Sequence, residues 1–402
     1  MSSIYIVDGV RTPMGRLGGS LALVRPDDLA AHAIKGLMER HPDLDPMAIE
    51  DVQWGAANQA GEDNRNVARM AALLAGLPIE VPGATVNRLC GSGMQAVVSA
   101  AHALADGWGD VMIAGGSESM SRAPYVISKA EKGFATGFPD AADTVLGWRL
   151  VNPEMDRLYP PITLGMTAEE VAAKYDVTRE DQDTFALDSH RKAVDAANAG
   201  RFDAEILPID APVDPRRRGT VTIDSDEGPR ADTSLEILAG LTPVFKEGGT
   251  VTAGNSSPMN DGAAALLLTT EQGLDRHGLT PMARIAATGA AGVHPDIMGI
   301  GPVPASEKAL GRAGLSVADL DLVELNEAFA AQAVASMRLL GLDPDRVNVN
   351  GGAIALGHPL GASGARILVT LIHEMARRDA RYGLATMCIG VGQGISTVVE
   401  RV

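Results

Sequence analysis

Asn87-Arg88-Leu89-Cys90-Gly91-Ser92-Gly93 opens a helical pattern that runs to about Ala105, and the strand Asp110-Val111-Met112-Ile113-Ala114 follows, closed by a Gly-Gly turn. The same order returns far downstream. Gly361-Ala362-Ser363-Gly364 opens a helix to about Arg378, then comes the strand Leu384-Ala385-Thr386-Met387 and another glycine-rich turn. One topology written twice predicts two similar units packed as a pair. Further out, Val52-Gln53-Trp54 reads as a short strand before the amphipathic Asn66 to Leu77. Strands alternating with helices make this a layered α/β fold.

A pseudo-twofold pair of α/β units puts the starts of both matching helices on one side, where loops at strand carboxyl ends gather ligand-binding groups. The site is therefore expected between the halves. Ser121 to about Thr250 differs in texture, with many of the prolines, the run Arg216-Arg217-Arg218 and irregular polar stretches. It reads as an inserted loop domain that covers the substrate. Apolar strand character returns in Ala263-Ala264-Ala265-Leu266-Leu267-Leu268, so Val251 to Thr270 completes the first half. The expected division is an N-terminal α/β half over residues 1–120, completed by 251–275, an insert over 121–250 and a C-terminal half over 276–402.

The chain has 402 residues, enough for two or three domains with sizeable cores, and its 46% hydrophobic and 21% charged content is ordinary for a packed protein. A formal charge of -17 disfavours nucleic acid and anionic membrane surfaces as partners. An anionic ligand must then find a local cationic pocket. Ile4-Tyr5-Ile6-Val7 begins the chain as a strand without an export signal, and no apolar run reaches the roughly 18 residues of a membrane span. The two cysteines, Cys90 and Cys388, form a poor basis for a disulfide framework or a metal site. A reducing cytoplasm is the expected compartment.

Cys90 stands at a helix start among small residues, where amides and the helix dipole stabilise a thiolate and a substrate approaches closely. Alone it would read as an inert packing residue. His358, in Gly357-His358-Pro359, precedes the matching helix of the second half, and the pseudo-symmetry carries it to the same face as Cys90. An imidazole there is a candidate base for the thiol proton. The other histidines sit in helical or polar contexts such as Ala101-His102 and Arg276-His277. Cys388 begins the turn Cys388-Ile389-Gly390-Val391-Gly392-Gln393-Gly394, whose amides, Gly390 among them, suit an oxyanion. Asn326 follows the strand Leu322-Val323-Glu324-Leu325, which puts its amide at the same crevice, although alone it would read as a helix cap.

Asn87 to Gly93, Asn326-Glu327-Ala328-Phe329-Ala330, Gly357-His358-Pro359 and Cys388-Ile389-Gly390 together resemble the signature set of thiolases. The resemblance covers essentially the whole chain. It includes Thr252 to Ser257 and Asn260-Asp261-Gly262-Ala263, which look like the segment that meets pantetheine. It implies duplicated halves in a layered α-β-α-β-α core. It also implies that Cys90 is acylated, His358 activates it, and Cys388 moves the proton on the acetyl-CoA carbon. Asn326 would hold a water. That water and His358 would form one oxyanion hole, and the amides of Cys90 and Gly390 the other. Arg230, Leu241, Ala253, Ser257 and Phe329 would line the coenzyme A channel, with coenzyme A a substrate and no cofactor or metal required. Arg216-Arg217-Arg218 reads as a solvated turn rather than a phosphate site. A homodimer or homotetramer is implied.

Two positions depart from the family pattern. Thr163-Leu164 stands where acetoacetyl-forming members carry a histidine ahead of Gly-x-Thr-Ala-Glu, which favours a degradative enzyme, and Val391 replaces a glycine in the turn after Cys388. Gly61 to Met70 and Gly299 to Pro304 look most like thiolases acting on 3-oxoadipyl-CoA, while near relatives cleave ordinary 3-ketoacyl-CoAs. The thioester class follows, and the acyl chain stays open. A ketosynthase-type condensing enzyme is disfavoured by Cys388 and the Asn326 motif. A non-enzymatic acyl-CoA binder would have no use for the nucleophile and both proton-handling groups.

Overall fold

A computed structural model describes residues 3–214 and 219–402. The main strands of its large sheet, in chain order, are β1 (Ile4–Arg11), β2 (Ile49–Gly55), β3 (Gly83–Val86), β4 (Val111–Ser119), β5 (Asn260–Thr270), β6 (Ala283–Gly292), β7 (Leu322–Leu325), β8 (Tyr382–Ile389) and β9 (Gln393–Arg401). They form one ten-stranded sheet in the order β7-β8-β9-β6-β1-β5-β4-β2-β3, with the short strand Gly15–Arg16 paired to β5. The halves meet where β1 runs antiparallel to β6, Tyr5 opposite Arg284 and Ile6 opposite Ala283. Counting outward from that seam, β1, β5, β4 and β2 answer to β6, β9, β8 and β7. The place of β3 is taken in the second half by a single bridge from Val347 to Val323.

The helices that position the site are α1 (Pro26–Glu39), α2 (Val67–Leu74), α3 (Ser92–Ala105), α4 (Leu164–Lys174), α5 (Arg179–Asn198), α6 (Pro302–Ala313), α7 (Ala330–Leu340) and α8 (Leu360–Arg378). Alternation along the strands sets the layers. On β4, Val111 and Ile113 pack with α1 and α2, whereas Met112 and Ala114 pack with α3 and α8. In the second half, Leu384 and Val398 pack with α6 and α7, while Ala385, Met387 and Val399 turn to the same α3 and α8. The two matching helices are thus the shared middle layer. Trp54 is fully buried and donates its indole N–H to Ser117 Oγ at 2.9 Å, which satisfies the one polar atom it takes into the core. Among the described residues no helix is long and apolar enough to cross a membrane.

Two expectations change. Gly115-Gly116 is not a turn, because β4 continues through it to Ser119. A Cβ on Gly115 would strike Trp54 and the backbone of β5, and one on Gly116 would strike the carbonyl of Gly361. The glycines are close-approach positions inside a buried strand. The insert is also more regular than its polar texture suggested. The connection from β8 to β9 is the short turn at Gly390-Val391-Gly392, whereas the equivalent connection from β4 to β5 spans Met120 to Met259 and contains α4 and α5. A capping box of Thr178 and Asp181 starts α5, a signal present in the sequence.

The packing of Gly116 on Gly361 gives a direct expectation. Gly116→Ala forces β4 and the start of α8 apart, so denaturant unfolding should show a loss of about 1–3 kcal/mol together with loss of activity. An unchanged unfolding midpoint would show that the strand and helix have room to spare.

Candidate active site

Cys90 lies two residues ahead of α3, in a turn rather than in the helix. Leu89 before it has φ 47°, a left-handed conformation for a non-glycine residue. The turn is held by Leu89 N–H to Asn87 Oδ1 at 2.9 Å, Arg88 N–H to Ser92 Oγ at 2.9 Å and Ser92 Oγ–H to the Leu89 carbonyl at 2.6 Å. The thiol is pushed into the crevice at the amino end of α3. It is buried, and burial raises its pKa to about 11, although hydrogen bonding from the Gly390 amide and its own amide pulls the other way, and buried Glu118 adds to the rise.

His358 sits two residues ahead of α8 and is 5% exposed. Its backbone N–H donates to Asn260 Oδ1 at 2.8 Å, and its Nδ1 lies 2.6 Å from Ser363 Oγ. Ser363 Oγ–H donates to the Pro359 carbonyl at 2.8 Å, so toward the ring it accepts. The neutral imidazole therefore carries its proton on Nδ1 and leaves Nε2 bare. Burial, with Arg366 nearby, lowers its pKa to about 3. Asn326 Nδ2 lies 3.4 and 3.5 Å from the two ring nitrogens, a position over the ring. Asn326 Oδ1 is buried with no hydrogen-bond partner among the described residues.

Asn326 is not a helix cap, since α7 begins at Ala330 with Phe329 as its N-cap. Its N–H instead extends the sheet to the Thr386 carbonyl at 3.0 Å, beside the end of β8. Buried Glu327 anchors the segment by accepting from Ser189 Oγ at 2.6 Å, Asn348 Nδ2 at 2.7 Å and the Ile354 amide at 3.1 Å. Cys388 is fully buried at the end of β8. Burial and then the neighbouring Cys90 raise its pKa. Two buried thiols, a tautomer-fixed imidazole, an amide with a spare acceptor and the Gly390 N–H thus converge at the carboxyl ends of β7 and β8 and the amino ends of α3 and α8.

Residues 4–272 match the family model "Thiolase, N-terminal domain" and residues 279–401 match "Thiolase, C-terminal domain". The chain belongs to the thiolase family. It is 54% identical over 401 residues to the beta-ketoadipyl-CoA thiolase of Pseudomonas aeruginosa, covering 99% of each chain. It is 54% identical over 405 residues to the 3-oxoadipyl-CoA/3-oxo-5,6-dehydrosuberyl-CoA thiolase of Escherichia coli K12, covering 100% of each. The Bacillus anthracis acetyl-CoA acetyltransferase structure superposes with a TM-score of 0.93 at 42% identity, over 100% of this chain and 99% of that one.

In this thiolase, four of the residues expected along the coenzyme A channel, Leu241, Ala253, Ser257 and Phe329, lie near one another, where Ser256 bridges to Phe329. Gly254, beside Ala253, leaves room for Leu241 and Leu238, and Ser257 N–H and Oγ–H both donate to the Ala328 carbonyl at 3.0 Å. Phe329 packs edge-on to Phe245 at 6.4 Å. Arg230 is further along, lining an open cleft of about 320 Å³ with Arg16, Asp232, Thr233 and Ile237. Arg216-Arg217-Arg218 lies outside the described residues.

Ser363, Asn260 and Glu118 are supports whose part in the site the sequence reading did not assign, Asn260 having been placed only in the pantetheine segment. Glu118 accepts from the amides of Ala57, Asn58 and Gly361 at 2.9, 3.2 and 2.9 Å, joining the first half to the start of α8. The polar run Ser117-Glu118-Ser119 in an otherwise apolar strand was the available signal. Leu89 and Leu164 stand at the mouth, where a Cβ on Gly390 would meet them at 3.4 and 3.7 Å.

Val391 has φ 63°, a strained conformation for a β-branched residue. Val391→Gly removes that strain but loosens the unfolded chain, so a net gain of about 1 kcal/mol in unfolding free energy is expected with activity retained. An equal or lower stability would show that the turn does not store strain. The raised pKa of Cys90 also fixes a pH dependence. Its alkylation by iodoacetamide should rise about tenfold per unit between about pH 7 and 9 with no plateau. A plateau beginning near neutrality would reveal a preformed thiolate.

Proposed function

We propose that this enzyme runs thiolysis through an acyl group on Cys90. What carries the reading is the pairing of two buried thiols across the Gly390 amide, with His358 Nε2 bare. Cys90 gives its proton to His358 Nε2 as its sulfur attacks the ketone carbon of a 3-ketoacyl-CoA. The new oxyanion is held by the amides of Cys90 and Gly390. The carbon–carbon bond then breaks toward the thioester. The electron pair forms the acetyl-CoA enolate, its oxygen faces His358 Nε2–H and a water held by Asn326, and Cys388 protonates its carbon. Cys388, now a thiolate, takes the proton of incoming coenzyme A. That sulfur attacks the acyl-Cys90 carbon, and Cys90 leaves and recovers its proton from His358.

The acyl chain in this reading is 3-oxoadipyl, a 3-ketoacyl group ending in a carboxylate, and the direction is degradative. Relatives at 54% identity bearing that name support it, as do Thr163-Leu164 where acetoacetyl-forming members carry a histidine and the Gly61–Met70 and Gly299–Pro304 segments. Arg230, Leu241, Ala253, Ser257 and Phe329 serve the coenzyme A arm, and residues 121–250 cover it, between the halves at 1–120 with 251–275 and at 276–402. Exposed Tyr125, Ile127, Phe134 and Phe138 on the insert support assembly into two or four copies. A cytoplasmic setting suits two free buried thiols.

The test separates the two thiols. With 3-oxoadipyl-CoA and no free coenzyme A, mass spectrometry should find a succinyl group on Cys90, and Cys90→Ala should lose both adduct and turnover. Cys388→Ala should still accept an acyl group from a simple thioester. Its thiolysis and its exchange of deuterium into the acetyl-CoA methyl group should fall by about 10⁴-fold. Exchange at the parent rate in Cys388→Ala, or an adduct on Cys388 alone, would reverse the assignment.

A further inference from the structure

We infer that Arg149 anchors the carboxylate at the far end of the acyl chain. The inference rests on the substrate reading above and names the side chain that would enforce it. Arg149 is half-buried in the segment that leads from the hairpin of Tyr125–Ile127 and Ala141–Asp143, through the short helix Pro153–Leu158, to α4. Its Nη1 donates to the carbonyls of Thr144 at 3.3 Å and Gly147 at 3.2 Å, and its Nη2 lies 3.4 Å from Asn58 Oδ1. All three acceptors are neutral and all three bonds are long. Several other arginines around the site are already matched to carboxylates, Arg11 to Glu205 and Asp226, Arg25 and Arg122 to Glu62, and Arg366 to Glu324, while Arg88 is held at short range by Gln95 Oε1 at 2.7 Å and Gln393 Oε1 at 2.9 Å. Among the described residues no carboxylate pairs with Arg149.

The placement follows from the bonds around it. Thr144 Oγ accepts from Asn58 Nδ2 at 2.9 Å and donates to the Pro124 carbonyl at 2.6 Å, which pins the loop to Asn58. The amides of Ala57 and Asn58 share the Glu118 carboxylate with the amide of Gly361, at the start of the helix that carries Ser363 against His358. The Ala57 carbonyl accepts from Asn87, three residues ahead of Cys90, at 2.9 Å. The loop is tied again where Trp148 Nε1 donates to the Ile162 carbonyl at 3.1 Å, and it ends at Leu164 beside the Gly390 turn. It therefore runs from the Asn58 side of the thiols to the Gly390 side, with the guanidinium on the Asn58 side. Nη1 is fixed by the carbonyls, Nη2 has only the long bond to Asn58 and Nε is given no acceptor among the described residues, so the Nε–Nη2 edge can turn to a planar, bidentate carboxylate. In a chain of formal charge -17, an acyl chain that adds a carboxylate needs such a local cation.

The experiment compares kcat/KM for 3-oxoadipyl-CoA with that for 3-oxohexanoyl-CoA, of equal length without the carboxylate. Arg149→Met should lower the ratio by about 10²-fold, nearly all of it through the dicarboxylic substrate. Should Arg149→Met lose both activities because the loop comes undone, Arg149→Lys reads the same ratio, since it keeps a cation for the two carbonyls but not the fork. A reduced ratio in the lysine variant supports the anchor. An unchanged ratio in the variants overturns it while leaving the substrate reading intact. A parent enzyme with no preference for 3-oxoadipyl-CoA overturns the substrate reading itself.

Discussion

Everything in this crevice depends on how closely α3 and α8 approach. A Cβ on Gly93 would lie 2.7 Å from the Gly361 carbonyl, and one on Gly364 would press on the backbone of Met94. Bare backbone at these positions lets the two amino ends lie side by side, which brings Cys90 and His358 into one crevice although 268 positions separate them in the numbering. The same approach buries both side chains and strips them of water. Burial rather than any charged neighbour is the largest influence on Cys90, Cys388 and His358 alike, and it favours their neutral forms.

The duplication was legible because it is written in local patterns: a Gly-rich helix start, then a strand, then a tight turn, twice. Cys90, His358 and Cys388 stand at the seams of those patterns, so the residues themselves drew attention. Ser363, Asn260 and Glu118 were hidden for a different reason. Each acts through a hydrogen bond whose partner is set by tertiary packing, such as Glu118 with Gly361 or Asn260 with His358. Nothing in a run of sequence states that pairing. Gly115-Gly116 misled in the opposite direction, since glycine marks both turns and close approach, and only the neighbouring carbonyl of Gly361 decides between them. The helix α5 was obscured because it buries seven of its twenty residues, polar ones such as Gln182, Asp183 and Ser189 among them, so no clean apolar stripe marks it.

The two halves use one topological position for unlike purposes. Between β8 and β9 the chain turns within Gly390-Val391-Gly392 and presents the Gly390 amide to Cys90. Between β4 and β5 the equivalent connection grows into an insert carrying Arg149, α4 and α5. The strand ends diverge to match. The end of β8 offers Cys388, whereas the end of β4 offers Glu118, which clasps the loop after β2 and the start of α8. Divergence at this one strand end, toward a thiol in the second half and toward scaffold in the first, lets a single pseudo-twofold axis supply both.

Neutral resting groups impose an energetic order on the proposed chemistry. A thiol whose pKa is raised to about 11 costs roughly 5 kcal/mol to ionise near pH 7, so a standing thiolate would waste most of what the site has to offer. Proton transfer to His358 is then favourable only as the sulfur bonds to carbon and the charge moves to the ketone oxygen. There the amides of Cys90 and Gly390 receive it, and oxyanion donors of this kind contribute about 2.7–4 kcal/mol each. The imidazolium that forms has lost water as well, yet Ser363 already holds its Nδ1–H, and the charge it gains faces a developing anion rather than bulk solvent. Burial thus opposes charge separation in the free enzyme and strengthens the attraction once both charges appear together. The crevice is poor at holding ions one at a time and good at holding them as a pair, which restricts thiol reactivity to substrates that bring their own oxyanion.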